Sequence, residues 1–231
     1  MRTPDVIRIF VGWDPNEPVA YHVCCESIIR HTSRPVQITP LALNTVKSLY
    51  VETHTDGSNQ FVYSRFLVPW LCSWQGHAIF LDGDMLLRGD IAELWDLKRY
   101  DVGAQVVQHD YKTKYPRKYM GAKNENYPAK NWSSVILWNC GYSPNRVLTP
   151  QYVGEATGET LHRFQWLQPE KVGALPAEFN HLTMEYAPNP SAKIAHYTVG
   201  TPCFEGYEAQ EHAQEWFDTL NGMLAPLRSV F

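Results

Sequence analysis

No apolar run in this 231-residue chain approaches the roughly 20 residues a membrane-spanning helix needs. A transmembrane segment is therefore not expected. There is no Cys-x-x-Cys pair, and the five cysteines, Cys24, Cys25, Cys72, Cys140 and Cys203, are odd in number. That argues against a zinc or disulfide framework and for reduced, mostly core thiols in a cytoplasmic protein. There is no long basic block, and the formal net charge is −4. Broad binding to nucleic acid or to an anionic membrane is disfavoured. A nucleotide ligand is not, because a bound metal would bring positive charge locally. No Gly-x-x-x-x-Gly-Lys loop occurs, so a P-loop NTPase is excluded. Internal repeats and low-complexity linkers are missing too, and Met1–Asp5 leads into a strand rather than a signal peptide.

What is present is a soluble α/β pattern. Hydrophobic content is 44% and charged content 19%, enough for a sizeable core. Strands are expected at Val6–Val11, Val36–Leu41, Ala78–Leu81, Val102–Val107, Ser134–Asn139 and Lys193–Tyr197. Asp14-Pro15-Asn16-Glu17 reads as a capping box opening a helix with Ala20, Val23, Cys24, Ser27 and Ile28 on one face. A second helix is expected over Phe61–Trp74, with Pro69 kinking or ending it. Asp90-Ile91-Ala92-Glu93 opens a short helix through Leu97; Thr149-Pro150 opens another, and further helices cover Leu161–Leu167 and 209–224. In the last of these, Trp216, Phe217, Leu220, Met223 and Leu224 share a face. Residues 109–132 have no period and read as a long ordered loop, usually functional in a compact domain. Alternation of strand and helix over the first hundred residues implies a mainly parallel sheet. One domain is expected, with a nucleotide-binding half at 1–107 and a sugar and acceptor half at 108–231.

The most informative stretch is Ala78-Ile79-Phe80-Leu81-Asp82-Gly83-Asp84-Met85. Its unalternated apolar residues fit a strand buried on both faces. Ligands bind beyond the carboxyl ends of such strands. Two aspartates there would repel each other unless a hard cation such as Mn²⁺ or Mg²⁺ lay between them. An Asp-Gly turn is the plainer alternative.

Four segments together carry a resemblance. They are Phe10-Val11-Gly12-Trp13-Asp14, Tyr63-Ser64-Arg65-Phe66, Leu81-Asp82-Gly83-Asp84, and His196-Tyr197-Thr198-Val199-Gly200-Thr201-Pro202. In order and spacing they resemble glycosyltransferase family eight, the family of glycogenin and bacterial lipopolysaccharide galactosyltransferases. The resemblance implies a GT-A fold, a metal-bound UDP-sugar donor and sugar transfer with retention of configuration. It implies that Asp82, Asp84 and His196 ligate the metal, and that Gly12, Trp13 and Asp14 lie against the uracil and ribose. Arg65, Gly83 and Gly200 are implied at the nucleotide, Arg65 near the donor phosphates or sugar. Asn131 and Ser133 look like the family's segment at the donor sugar. Asn180, in Glu178-Phe179-Asn180-His181, is a further candidate on the sugar or acceptor side.

The chain departs from the family twice. The lysine that many members carry after the histidine–glycine segment is missing from Gly200-Thr201-Pro202-Cys203-Phe204. Of an Asp-Gln-Asp segment only Gln165 remains, in Phe164-Gln165-Trp166, and it is taken as a candidate at the reacting centre with Asn131, Asp82 and Asp84. Among the eight tryptophans, Trp70, Trp95 and Trp216 read as core, whereas Trp13 and Trp132 read as site candidates. A haloacid-dehalogenase-type phosphohydrolase fits less well, because Met85 follows the second aspartate and no later strand ends in paired acids. A non-catalytic nucleotide-sugar binding module would predict a broken Asp-Asp-His set. The acceptor, whether carbohydrate, lipid-linked or protein, is not legible.

Overall fold

The computed structural model describes residues 5–55, 57 and 59–228. The expectation for the first four residues lies outside them. The central sheet is built from β1 (Ile7–Gly12), β2 (Val36–Leu41), β3 (His77–Leu81), β5 (Ala104–Val106), β6 (Val135–Asn139) and β7 (Val172–Ala174), in the order β2-β1-β3-β6-β5-β7. β1 pairs parallel with β2 and β3, and β5 with β7; β6 runs antiparallel to both of its neighbours. β6 alone is reversed, so the sheet is mainly parallel.

The continuous apolar runs of β1, β3 and β6 follow from burial on both faces. Ile9, Val11, Ile79, Leu81, Val135 and Leu137 pack one face against Cys24 and Ile28 of α1 (Pro18–His31). Phe10, Ala78, Phe80, Ile136 and Trp138 pack the other, beneath Phe66, Leu67, Leu148 and Phe164. The strand period of two thus sorts one sequence run into two cores.

A second sheet joins β4 (Met85–Leu87), β9 (Ile194–His196) and β8 (His181–Leu182) in the order β4-β9-β8. It packs through Leu86, Ala195 and Tyr197 on Val23 of α1 and on Trp216 of the terminal helix, Ala213–Arg228. Phe217, Leu220 and Met223 join that cluster, but Leu224 is exposed.

Several helical boundaries differ from expectation. α1 begins at Pro18, with Glu17 before it and no side-chain cap. Asp14 does not cap the helix: its carboxylate accepts from Asn16 N and Gln60 N, each at 2.8 Å, bridging two loops instead. Phe61–Trp74 is not one helix. A 3₁₀ turn at Ser64–Leu67 runs into a single turn, Val68–Leu71, where Pro69 occupies the first-turn position it tolerates. Positive φ at Ser73 and Trp74 ends it. Asp90 caps Ile91–Trp95 by accepting from Ala92 N, but Glu93 turns to Lys193 rather than closing the box. Thr149 caps Pro150–Glu155 as read. The next helix covers Gly158–His162, upstream of the expected span. Among the described residues, no helix is long and apolar enough to cross a membrane.

Candidate metal and nucleotide-sugar site

The site lies where β1 and β3 end and β6 begins. Asp82 N donates to Ser134 O at 2.9 Å, tying the end of β3 to the start of β6. Gly83 passes so close to the end of β1 that a Cβ there would overlap the Gly12 carbonyl oxygen. Gly12 in turn faces the Phe61 ring, which a Cβ would meet at 2.5 Å. Glycine at both positions is a packing requirement of this crossing.

β4 then carries the chain into the second sheet. Its antiparallel register sets Met85 opposite His196, and Tyr197 N donates to Asp84 O at 3.0 Å. Strand pairing thereby brings His196 to the two aspartates. Ligand atoms of Asp82, Asp84 and His196 all lie within 4.8 Å of one another.

The charges there are incompletely compensated. Asp82 is buried, and Arg65 Nη1 lies 2.7 Å from its Oδ1. Arg65 is itself buried, stacked over Phe80 and Phe61, and spends its N–H groups on Phe61 O, Val62 O and Ser133 O. Burial raises the Asp82 carboxyl to about 6, with the Asp84 charge adding to the rise and Arg65 opposing it. Asp84 Oδ1 is buried without a hydrogen-bond partner, 3.4 Å from His196 Nε2. Buried polar atoms are seldom left unpaired, and such an orphan calls for an explanation.

A hydrogen-bond chain fixes the state of His196. Ser134 Oγ–H donates to Asn131 O at 2.7 Å, so its oxygen is open to accept from Asn180 Nδ2 at 2.8 Å. That orients the amide with Asn180 Oδ1 toward His196 Nδ1, at 2.9 Å. Nδ1 must then carry a proton, so in the neutral imidazole the lone pair is on Nε2, facing Asp84. Two carboxylates and one neutral imidazole nitrogen make a donor set suited to Mn²⁺ or Mg²⁺. The orphaned Oδ1 and the bare Nε2 fit an ion there.

These groups line a cavity of about 380 Å³. Gly12, Asp14, Arg65, Gly83, Asn131 and Ser133 also line it. Asn131 sits in the left-handed region at φ 62° and donates to Tyr111 OH and Thr198 Oγ1. Ser133 Oγ pairs with His162 Nδ1 at 2.7 Å.

Five other candidates do not line it. Trp13, half-buried just past the end of β1, is not part of the lining although Gly12 and Asp14 on either side of it are. Trp132 packs on the core and donates its indole N–H to His109 O at 2.8 Å. Gly200 is set against the Tyr119 and Tyr207 side chains. Gln165 is exposed, because Phe164 and Trp166 on either side of it turn inward onto Trp138. Asn180 stands behind His196, fully buried.

Several lining residues escaped the sequence reading, Glu17, His162 and Lys118 among them. Glu17 has the sequence position of a helix-capping residue; burial, with Asp84 and Asp14 adding to it, lifts its carboxyl to about 9. His162 lies within a helical stretch of the sequence and Lys118 within the aperiodic loop, and both line the cavity.

Residues 16–143 match the glycosyl transferase family 8 model. Protein CDI of Arabidopsis thaliana is 42% identical over 221 residues, covering 92% of this chain and 85% of that protein. Among solved structures, the apo glycosyltransferase GlyE of Streptococcus pneumoniae TIGR4 superposes with a TM-score of 0.62 at 13% identity, over 93% of this chain. The galactosyltransferase LgtC, in complex with donor and acceptor sugar analogues, gives 0.55 at 12% identity, over 94% of this chain and 96% of its own. The bifunctional glycosyltransferase WbbM gives 0.60 at 15% identity, over 95% of this chain. The chain spans 60% of the GlyE chain and 50% of the WbbM chain. At such identities the likeness is one of fold, and the fold is GT-A.

Proposed function

This chain belongs to glycosyl transferase family 8 and is a glycosyltransferase; from that premise we propose that it moves a sugar from a UDP-sugar to an acceptor hydroxyl, with a divalent cation and with retention. The observation that carries the metal is the meeting of Asp82, Asp84 and His196, with Asp84 Oδ1 buried and unpaired. Mn²⁺ or Mg²⁺ held there would supply the charge that neutralises the departing diphosphate.

The protein's own residues supply position. Arg65 holds Asp82 and closes the floor of the site. Asp14, on the same cavity wall as Gly12, is placed to accept from ribose hydroxyls. Asn131 and Ser133 face the cavity near the expected position of the donor sugar. The 1–107 half then binds nucleotide, and the 108–231 half presents sugar and acceptor. Retention follows from attack on the leaving-group face: the acceptor oxygen bonds to the anomeric carbon, the sugar–phosphate bond breaks, and the hydroxyl proton passes to the released phosphate oxygen. The acceptor is carbohydrate, lipid-linked or protein, and the compartment is the cytoplasm.

Thermal shift across UDP-, GDP- and ADP-sugars, with and without MnCl₂, tests this reading. A UDP-sugar should stabilise the protein only with Mn²⁺, by about 2.7 kcal/mol at a hundredfold excess over Kd. A flat response to every donor would overturn it.

A further inference from the structure

The family resemblance puts a diphosphate-binding lysine after the histidine–glycine segment, and this chain has none there. No lysine follows Gly200 in Gly200-Thr201-Pro202-Cys203-Phe204. Five basic side chains line the cavity: Arg65, Lys118, Lys123, Lys130 and Arg163. Four are already engaged. Arg65 pairs with Asp82, Lys123 with Glu125 and Arg163 with Glu159. Lys130 is buried and donates to Asn124 Oδ1 at 2.5 Å and Glu125 O at 2.8 Å. Among the described residues Lys118 has neither a carboxylate partner nor a short hydrogen bond: its ammonium's one bond, to Thr198 Oγ1, is long at 3.4 Å.

Its place is fixed by the backbone around it. Tyr119 N donates to Val199 O at 2.8 Å, and the Tyr119 ring stacks on Phe204 with centroids 4.5 Å apart. Gly200 permits that approach, since a Cβ there would stand 3.0 Å from Tyr119 Cβ. Lys118 N donates to Ala122 O at 2.7 Å, closing the turn. The loop is thus clamped onto the segment that follows His196, with the ammonium on the metal-site wall. Its field favours the ionised forms of Asp82, Asp84 and Glu17 alike.

Charge then decides the role. Two ligating carboxylates cancel a divalent cation, which leaves the diphosphate's own negative charge to be met by the protein. We propose that Lys118, carried by the 109–132 loop, is the side chain that binds the diphosphate of the donor and of the released nucleotide, in place of a lysine after Gly200. The proposal rests on the metal-dependent UDP-sugar reading above. A compact ammonium suits this task, since it can turn with the phosphates as the sugar–phosphate bond opens.

Calorimetric titration of UDP and uridine with MnCl₂ into the wild type, Lys118→Gln and Lys118→Arg tests it. The unliganded melting temperature serves as the folding control. Lys118→Gln should bind UDP about tenfold more weakly, the worth of one charge-assisted hydrogen bond. It should bind uridine as the wild type does, and Lys118→Arg should recover most of the loss. Equal UDP affinity in wild type and Lys118→Gln would overturn the assignment while leaving the metal site intact. Equal loss for UDP and uridine would also overturn it, by showing a structural role. If the wild type binds no UDP with Mn²⁺, the underlying reading falls, and this inference with it.

Discussion

Asn180 offers the sharpest test of how the metal site is held. Its amide is clamped by Ser134 Oγ, and through it His196 is held with the proton on Nδ1. Asn180→Ala removes the acceptor and leaves a buried N–H unpaired, at a cost of roughly 1–3 kcal/mol. The imidazole can then relieve that cost by turning or by moving its proton to Nε2, and either change spoils the lone pair that faces Asp84. Loss of such an outer partner typically weakens metal affinity by about 10- to 100-fold. Asn180→Asp separates the causes. A carboxylate still accepts from Nδ1, so this variant should keep most of the Mn²⁺ affinity that Asn180→Ala loses. It cannot donate to Ser134 Oγ, so some folding stability should still be lost. The assay is Mn²⁺ titration by calorimetry, alongside urea unfolding of the metal-free protein. If Asn180→Ala binds Mn²⁺ as tightly as the wild type while folded, the argument from the hydrogen-bond chain is wrong.

Two further outcomes follow from the geometry. Gly83→Ala forces a methyl into the Gly12 carbonyl, which must displace the Asp-Gly-Asp turn from β1. Overpacking of this kind costs roughly 1–3 kcal/mol, and the variant should lose Mn²⁺ affinity along with stability; unchanged unfolding and affinity would refute the close crossing. His109 is buried with Nε2 unpaired; burial, with the nearby His196 and His181 rings adding to it, depresses it to about 3. The unfolded chain therefore binds the extra proton first as pH falls, so this residue's contribution is complete above pH ~6.5 and drains away toward pH ~3. By pH 5 the loss is on the order of 2 kcal/mol. His109→Phe should flatten the fall in unfolding free energy between pH 7 and 5 by about that amount; an identical pH slope would exclude the residue.

How far the sequence could be read depended on whether a signal was local. β1, β3 and β6 were legible because burial on both faces leaves a continuous apolar run. Asp90 and Thr149 were legible as caps because a cap bonds within its own first turn. Asp14 carried the same local signature and misled, because Gln60, brought in from another loop, takes its second oxygen. The 61–74 span failed for a related reason: its apolar residues serve two short turns packed on the sheet, not one helical face. Asp82 and Asp84 were legible from the apolar run that ends in them, but His196 joined them only through the family resemblance, since nothing near it announces that β9 pairs with β4. Gln165 was placed by motif, yet the inward rings of Phe164 and Trp166 leave it outside. Lys118 had no signal at all. Its position comes from the clamp between Tyr119 and the 199–204 segment, which no periodicity encodes.

The central claim is that one divalent ion is gripped by Asp82, Asp84 and His196 and joined there by a nucleoside diphosphate. Anomalous diffraction from crystals grown with MnCl₂ and UDP addresses it directly. The account predicts a manganese peak within about 2.3 Å of a carboxylate oxygen of each aspartate and of His196 Nε2, with diphosphate oxygens completing its shell. Well-ordered UDP in the cavity with no anomalous peak among these three side chains would contradict it.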